Sequence, residues 1–204
     1  MSRYLEEFFG LKCAGDVINA VTPLTRAAKE ITEAMGAVRH LKSFFLKRPG
    51  ELTLVDLAAG NTLTAILAAH LLPVKISFAV DKARRNRLGY REVDRFFYEE
   101  RNILDPGFAD EFRGEMVFAS VHPCADLATR IVDMYLATPH VTALVLMPCC
   151  NGHQNDKKIP TAFRSRISKY EAWAWWLAER AGGDLFVDKN VLSPCNAIVV
   201  ARKA

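Results

Sequence analysis

The sequence predicts an α/β fold: a mostly parallel sheet covered by helices and closed by an antiparallel hairpin. Three observations predict it. From residue 52 onward, short apolar runs alternate with helix-forming segments, the order that builds parallel strands with crossover helices. Several runs are apolar throughout, Val141-Thr142-Ala143-Leu144-Val145-Leu146-Met147 most clearly, as strands buried on both faces require. The last two runs are joined only by Lys189 to Cys195. That connection is too short for a crossover, so those strands pair antiparallel.

Residues 1–47 read as helical, a cap packed on the sheet, with a substrate-binding lid as the alternative. Thr22 can cap a helix with Pro23 at its first position. Ile31, Met35, Val38, Leu41 and Phe45 then recur at three- or four-residue spacing, which makes one face apolar. Lys47-Arg48-Pro49-Gly50 breaks the chain, and residues 48–204 follow as one domain. Strands are expected near 52–57, 74–80, 95–101, 115–121, 141–147, 184–188 and 196–202. Helices are expected over 61–72, 83–92, 125–137 and 161–181, with a short one near 106–113. In the last long helix Tyr170, Trp173, Trp176 and Leu177, with Ile167, share a face that belongs in the core, and Trp175 lies off it.

Composition narrows the function classes. Half of the 204 residues are hydrophobic and 25% are charged, values of an ordinary globular domain. No apolar run reaches the ~18 residues of a membrane span, and the acidic start, Glu6-Glu7, is not that of a signal peptide. Five cysteines, an odd number with Cys149 and Cys150 adjacent, do not form a disulfide framework and fit a reducing cytoplasm. The net charge of +4 permits an anionic partner without demanding one. The oligomeric state is not legible.

The richest stretch is Val55-Asp56-Leu57-Ala58-Ala59-Gly60-Asn61. It reads as strand, tight turn, helix, with a glycine where backbone N–H groups can approach a ligand. Twenty-one residues after Gly60, a second apolar run ends in Asp81, the spacing of a carboxylate that accepts from ribose hydroxyls. A nucleoside is the implied ligand. The three glycines of the dinucleotide fingerprint are missing, which disfavours NAD.

These residues resemble motif I of class I S-adenosylmethionine-dependent methyltransferases, acidic-x-G-x-G-x-G. Asp56 and Gly60 match it, and Ala58 and Thr62 stand for the first and third glycines. The resemblance implies a Rossmann-like seven-stranded methyltransferase sheet with an antiparallel last strand, and S-adenosylmethionine as cofactor. It implies that Asp56, Ala58, Gly60 and Asn61 hold the amino-acid end. Asp81 would hold the ribose and Asn102 and Ile103 the adenine, with Ser120 bordering the cofactor.

A narrower resemblance starts at the fourth strand end. His122-Pro123-Cys124-Ala125-Asp126-Leu127 is similar to the H-x-C-G-D-L element of a methyltransferase-domain group that includes tRNA acceptor-stem ribose 2′-O-methyltransferases. Cys149-Cys150 matches that group's Cys-Cys pair, and Ser193-Pro194-Cys195-Asn196 its S-P-K-N hairpin with cysteine for lysine. Asn151-Gly152 separate the pair from His153, a departure from the group's C-C-H-H form. The resemblance implies an RNA acceptor, a ribose hydroxyl ahead of a base amine, because no N-P-P-Y-type element follows the fourth strand.

His122 can act as a general base or simply shape its loop. Cys124 and Cys149, each after a proline, are either nucleophiles of cytosine-5 chemistry or small buried hydrophobes packing a turn. His122, Cys124, Cys149, Cys150 and His153 contain zinc-ligand types, yet vicinal cysteines suit packing better than one shared ion, and no metal is expected. On the acceptor side Cys149, His153, Lys157 and Arg164 would meet the substrate, with Lys158 nearby. A second basic run spans Lys82, Arg84, Arg85, Arg87, Arg91 and Arg95. Either run can face phosphates or be a solvated face. The non-enzymatic alternative is a module that binds S-adenosylmethionine or RNA without turnover.

Overall fold

A computed structural model describes residues 2–21, 24–83, 89–124, 126–149 and 167–203. Seven strands form one sheet: β1 (Thr53–Leu57), β2 (Ile76–Asp81), β3 (Phe96–Glu100), β4 (Met116–Val121), β5 (Val141–Met147), β6 (Gly183–Val187) and β7 (Ala197–Arg202). Their spatial order is β3-β2-β1-β4-β5-β7-β6. β1 to β5 pair in parallel, and β7 runs antiparallel to both β5 and β6, as the short 189–195 connection requires. The order reverses between β1 and β4, so the carboxyl ends of those strands flank a crevice suited to a ligand.

Side chains alternate across the sheet, and the two faces differ in bulk. Leu54, Ala79, Val117, Ala119, Ala143 and Val145 belong to one apolar cluster, with the helices of the amino-terminal third. Val55, Leu57, Phe118, Leu144 and Leu146 belong to the other. The first face is lined mostly by small residues, which lets its helices sit close.

That face carries α1 (Arg3–Phe9), α2 (Ala14–Val21), α3 (Ala27–Phe45) and α4 (Leu63–Leu71). Every residue of α4 from Leu63 to Ala69 is buried, because the helix is wedged between the sheet and α3. In α3 the stripe Ile31, Met35, Val38, Leu41 and Phe45 is buried as expected. The burial is wider than the stripe: Thr32, Glu33, Ala34, Gly36 and Ala37 are buried too. The opposite face carries α5 (Asp126–Ala137) and α6 (Lys169–Ala181).

Four helix starts and extents differ from expectation. α3 begins at Ala27, not at Pro23, which with Thr22 lies outside the described residues. Its first turn is capped by Glu30, whose carboxylate accepts from the Arg26 N–H at 3.1 Å and the Thr25 hydroxyl at 2.9 Å. In the described part of 83–92 there is one 3₁₀ turn, Gly89–Glu92; 84–88 lie outside. Gly89 lies against α2, where a Cβ would come within 2.9 Å of the Asn19 carbonyl, so residues 89–92 pack as a turn. The 106–113 helix is likewise a 3₁₀ turn, Phe108–Glu111. α6 starts at Lys169 because Ser168 and Glu171 form a reciprocal capping box; 161–166 lie outside the description. Trp173 and Leu177 are buried, whereas Ile167, ahead of the cap, is 37% exposed and leaves the predicted stripe.

The amino-terminal helices are fastened to the β6–β7 connection. The Ser2 hydroxyl donates to the Asn190 carbonyl, and the Tyr4 hydroxyl donates to the Asp188 carboxylate. The Leu192 N–H donates to Thr32 Oγ1 at 2.9 Å.

Candidate active site

The β1–α4 turn is built from alternating left-handed residues. Ala58, Gly60 and Thr62 have φ of 53°, 54° and 66°. These are the three positions that motif I gives to glycine, and here two of them carry a Cβ into a conformation costly for L-residues. The turn is held from several sides: Ala59 N–H donates to the Val80 carbonyl at 3.0 Å, and Thr62 N–H to the Ala59 carbonyl at 2.8 Å. Asn61 Oδ1 accepts from the Leu63 N–H at 3.0 Å, at the start of α4. A Cβ built on Gly60 would meet nothing within 4 Å, so the backbone is open to a ligand there.

Asp81, at the end of β2, reaches this turn. Its carboxylate accepts from the Gly60 N–H at 2.8 Å and from the Ala83 N–H at 2.9 Å. The two parts of the nucleoside pattern therefore touch directly.

Two predicted cofactor residues sit beneath the turn. Asp56 is 1% exposed, and its carboxyl is pushed up to about 8, by burial first and then by the charge of Asp81, against the hydrogen bond from the Ala65 N–H. Its Oδ1 has no partner among the described residues. Ser120 is fully buried and donates to the Leu57 carbonyl at 2.6 Å, tying β4 to the end of β1. Neither lines the cavity above.

That cavity measures ≈ 280 Å³ and lies between α3 and the turn. Ala58, Ala59, Gly60, Asn61, Val121 and His122 form one wall; Lys29, Glu30 and Glu33 supply the other wall's charges. Glu30 accepts from Asn61 Nδ2 at 2.9 Å. Glu33, 3% exposed, accepts from Lys29 Nζ at 2.8 Å and from His122 Nε2 at 2.6 Å. Burial works to raise its carboxyl, but the hydrogen bond and charge of His122, with hydrogen bonds from Lys29 and Ser193, hold it below the usual carboxylate range. One cation and two carboxylates facing a backbone turn fit a small zwitterion.

Sequence reasoning missed Lys29, Glu30 and Glu33. The available signal was a carboxylate inside the small-residue stretch Ala34, Gly36, Ala37, where close packing on several sides leaves no solvent for it.

His122 stands at φ 58°, with its N–H bonded to the Met147 carbonyl at 2.7 Å, so the ends of β4 and β5 are pinned together. Cys124 is exposed, and its thiol lies 3.6 Å from the His122 carbonyl. The expectation of a buried packing role fails for Cys124, which is exposed although Pro123 before it is buried. Cys149 is half-buried. Cys150, His153, Lys157, Lys158 and Arg164 lie outside the described residues. After β3, Asn102 accepts from the Leu104 N–H at 3.1 Å, and Ile103 is buried in the far-face cluster. Arg95 leaves the expected basic face: its guanidinium donates to the Ala69 and Val74 carbonyls at 2.6 and 2.9 Å. Arg84, Arg85 and Arg87 lie outside the description. Among the described residues no group of three or more His, Cys, Asp or Glu is arranged to hold a metal ion, and no helix is long and apolar enough to cross a membrane.

No family model and no curated protein matches the chain. Solved structures do. The 23S rRNA methyltransferase ErmE superposes with a TM-score of 0.52 at 13% identity, over 82% of this chain and 67% of its own. An rRNA methylase from Streptococcus thermophilus gives 0.53 at 12%, over 82% and 93%. A chain of the fibrillarin/Nop5p complex gives 0.50 at 14%, over 82% and 83%. At such identities the likeness is one of fold: a Rossmann-like methyltransferase sheet with its carboxy-terminal hairpin.

Proposed function

We propose that the chain transfers a methyl group from S-adenosylmethionine to RNA, with a ribose hydroxyl favoured over a base amine. The observation that carries the reading is the direct bond between Gly60 N–H and the Asp81 carboxylate, beside a cavity whose charges suit an amino-acid zwitterion. Asp81 would take the ribose hydroxyls on its carboxylate, beside the Gly60 and Ala83 N–H groups that already donate to it. Lys29 would face the carboxylate of the amino-acid end, and Glu30 and Glu33 its ammonium. Asn102 and Ile103, following β3 beside Asp81, would border the adenine. Asp56 and Ser120 support the turn from below.

When bound, S-adenosylmethionine supplies an electrophilic methyl on a sulfonium. The chain's own part is to position the acceptor in line with it, exclude water and take the acceptor's proton. His122 is the base of this reading, and Cys124 and Cys149 border the acceptor side. An RNA acceptor is supported by two of the superposed enzymes, a 23S rRNA methyltransferase and an rRNA methylase, and by the resemblance at His122–Leu127. In the sequence, His153 and the basic residues Lys157 and Arg164 come after β5.

Calorimetry tests the cofactor. S-adenosylmethionine and its demethylated product should bind, and NAD should not. Asp81→Ala should weaken binding by about 1–3 kcal/mol, while Asp81→Asn, which keeps one acceptor oxygen, should lose less. Labelled-methyl transfer to RNA, protein and small-molecule fractions tests the acceptor. Equal affinity in a folded Asp81→Ala protein removes the ribose assignment.

A further inference from the structure

We propose that Glu33 is a positioning residue for His122. Its buried carboxylate accepts a hydrogen bond from Nε2–H, so that Nδ1 is the ring atom that accepts a proton from the methyl acceptor. The inference rests on the methyltransferase reading and deepens it.

The argument begins with the cost of burying Glu33. A carboxylate at 3% exposure is tolerated only when donors replace its water. Glu33 has three donors, from three separated parts of the chain. Lys29 comes from the preceding turn of α3, at 2.8 Å. His122 comes from the end of β4, at 2.6 Å. Ser193 comes from the β6–β7 connection, donating its hydroxyl while its Oγ accepts from the Cys195 N–H at 3.2 Å. The arrangement is fixed by packing on each side. His122 is pinned by its own N–H on Met147. The 191–193 segment is pinned by Thr32 and by Gly36, where an added Cβ would press to 3.0 Å from Val191. Neither partner can turn away without breaking a second contact.

The tautomer follows from the donor count. An ionised carboxylate has only acceptors, so the nitrogen that faces it must carry the hydrogen, and this is Nε2. The neutral ring then has its lone pair on Nδ1. In the transfer step the acceptor oxygen forms a bond to the methyl carbon as the carbon–sulfur bond breaks toward sulfur. The O–H proton passes to Nδ1, and the resulting imidazolium is held against the negative Glu33. The charged groups lining the cavity with His122 are Lys29, Glu30 and Glu33, all on α3. The turn opposite contributes only the neutral Asn61 among polar side chains long enough to reach across. Lys29 offsets part of the Glu33 charge, and Glu30 is bound to Asn61. Among the described residues, Glu33 is thus the group in contact with the ring that can set its orientation.

Ring-nitrogen spectra of ¹⁵N-histidine protein, at a pH where His122 is neutral, test this without an acceptor. The five histidines are distinguished by a His122→Asn protein that loses one set of signals. The wild-type His122 should show a single Nε2–H tautomer with a slowly exchanging proton. Glu33→Gln should mix the two tautomers and speed that exchange at least tenfold. Ser193→Ala, which leaves the His122 contact in place, should keep the tautomer and provide a folded comparison if Glu33→Gln fails to fold. Cofactor calorimetry on the same proteins runs in parallel. An Nδ1–H tautomer in the wild type, or a spectrum that Glu33→Gln leaves unchanged, overturns the role of Glu33 whatever the cofactor does. Absence of S-adenosylmethionine binding by wild-type protein overturns the methyltransferase reading instead.

Discussion

Replacing Asp56 by asparagine should stabilise the protein, and the gain should grow with pH. An ordinary aspartate titrates at 3.8, whereas burial first, and the Asp81 charge after it, push the Asp56 carboxyl up to about 8. Folding at neutral pH therefore takes up a proton. Roughly three pH units separate the ordinary aspartate from pH 7, at 1.36 kcal/mol each, so the cost approaches about 4 kcal/mol. Asparagine keeps an oxygen for the Ala65 N–H and brings no charge. Its amide N–H groups, however, enter a site where Oδ1 already has no partner among the described residues, which costs about 1–3 kcal/mol. The net expectation is a gain of about 1–3 kcal/mol at pH 7. The sign follows from the raised value. The protonated carboxyl is favourable in full below the ordinary 3.8, and that contribution is lost as pH rises toward about 8. Urea unfolding followed by tryptophan fluorescence, from about pH 4 to about pH 9, should show the two proteins diverging over that window. A difference independent of pH, or one that favours wild type more as pH rises, would refute the reasoning.

Two further outcomes are expected. Ala58→Gly relieves a left-handed Cβ at φ 53° but frees the unfolded chain, so thermal unfolding should report a gain of about 0.5–1 kcal/mol. RNA affinity should fall with salt at about −0.7 in log–log slope per phosphate contact; neutralising Lys157, Lys158 and Arg164 together should flatten that slope and leave S-adenosylmethionine binding as it was.

The sheet was legible because each of its strands carries its own local signal. Val141–Met147 is apolar enough to be buried on both faces, and 189–195 is too short to cross over. The strand–turn–helix around Asp56 to Asn61 was legible for the same reason: its three parts are contiguous. What contiguity could not give was the direction of side chains. Asp56 reads as a ligand group, yet alternation along β1 directs it under the turn, against Ala65. Arg95 reads as part of a basic face, yet it spends its guanidinium on two carbonyls of the α4–β2 region. The opposite error hid Glu33, which reads as one more charge on an amphipathic helix. Its partners lie 89 residues away at His122 and beyond that at Ser193, and no periodicity records such a meeting. The helix expected over 83–92 shows a third limit: its described end is a turn, Gly89–Glu92, whose close seat on α2 is a tertiary matter.

The bonds from Ser2, Tyr4, Thr32 and Glu33 to residues 188–193 have a consequence for synthesis on the ribosome. Translation delivers α1, α2 and α3 first, while the segment that fastens them is made more than 150 residues after Thr32, as the 160-residue separation of its bond to Leu192 records. Until that segment emerges, the apolar stripe of α3 lacks part of its cover and Glu33 lacks one of its three donors. A nascent chain stopped before residue 188 would already contain the turn at Gly60 and strands β1 to β6, yet it would lack the bonds that fasten Ser2, Tyr4 and Thr32. Contacts of such long range also form late and slowly during refolding. The amino-terminal helices therefore stay partly uncovered until their 188–193 fasteners, near the end of the 204 residues, have been made and are in place.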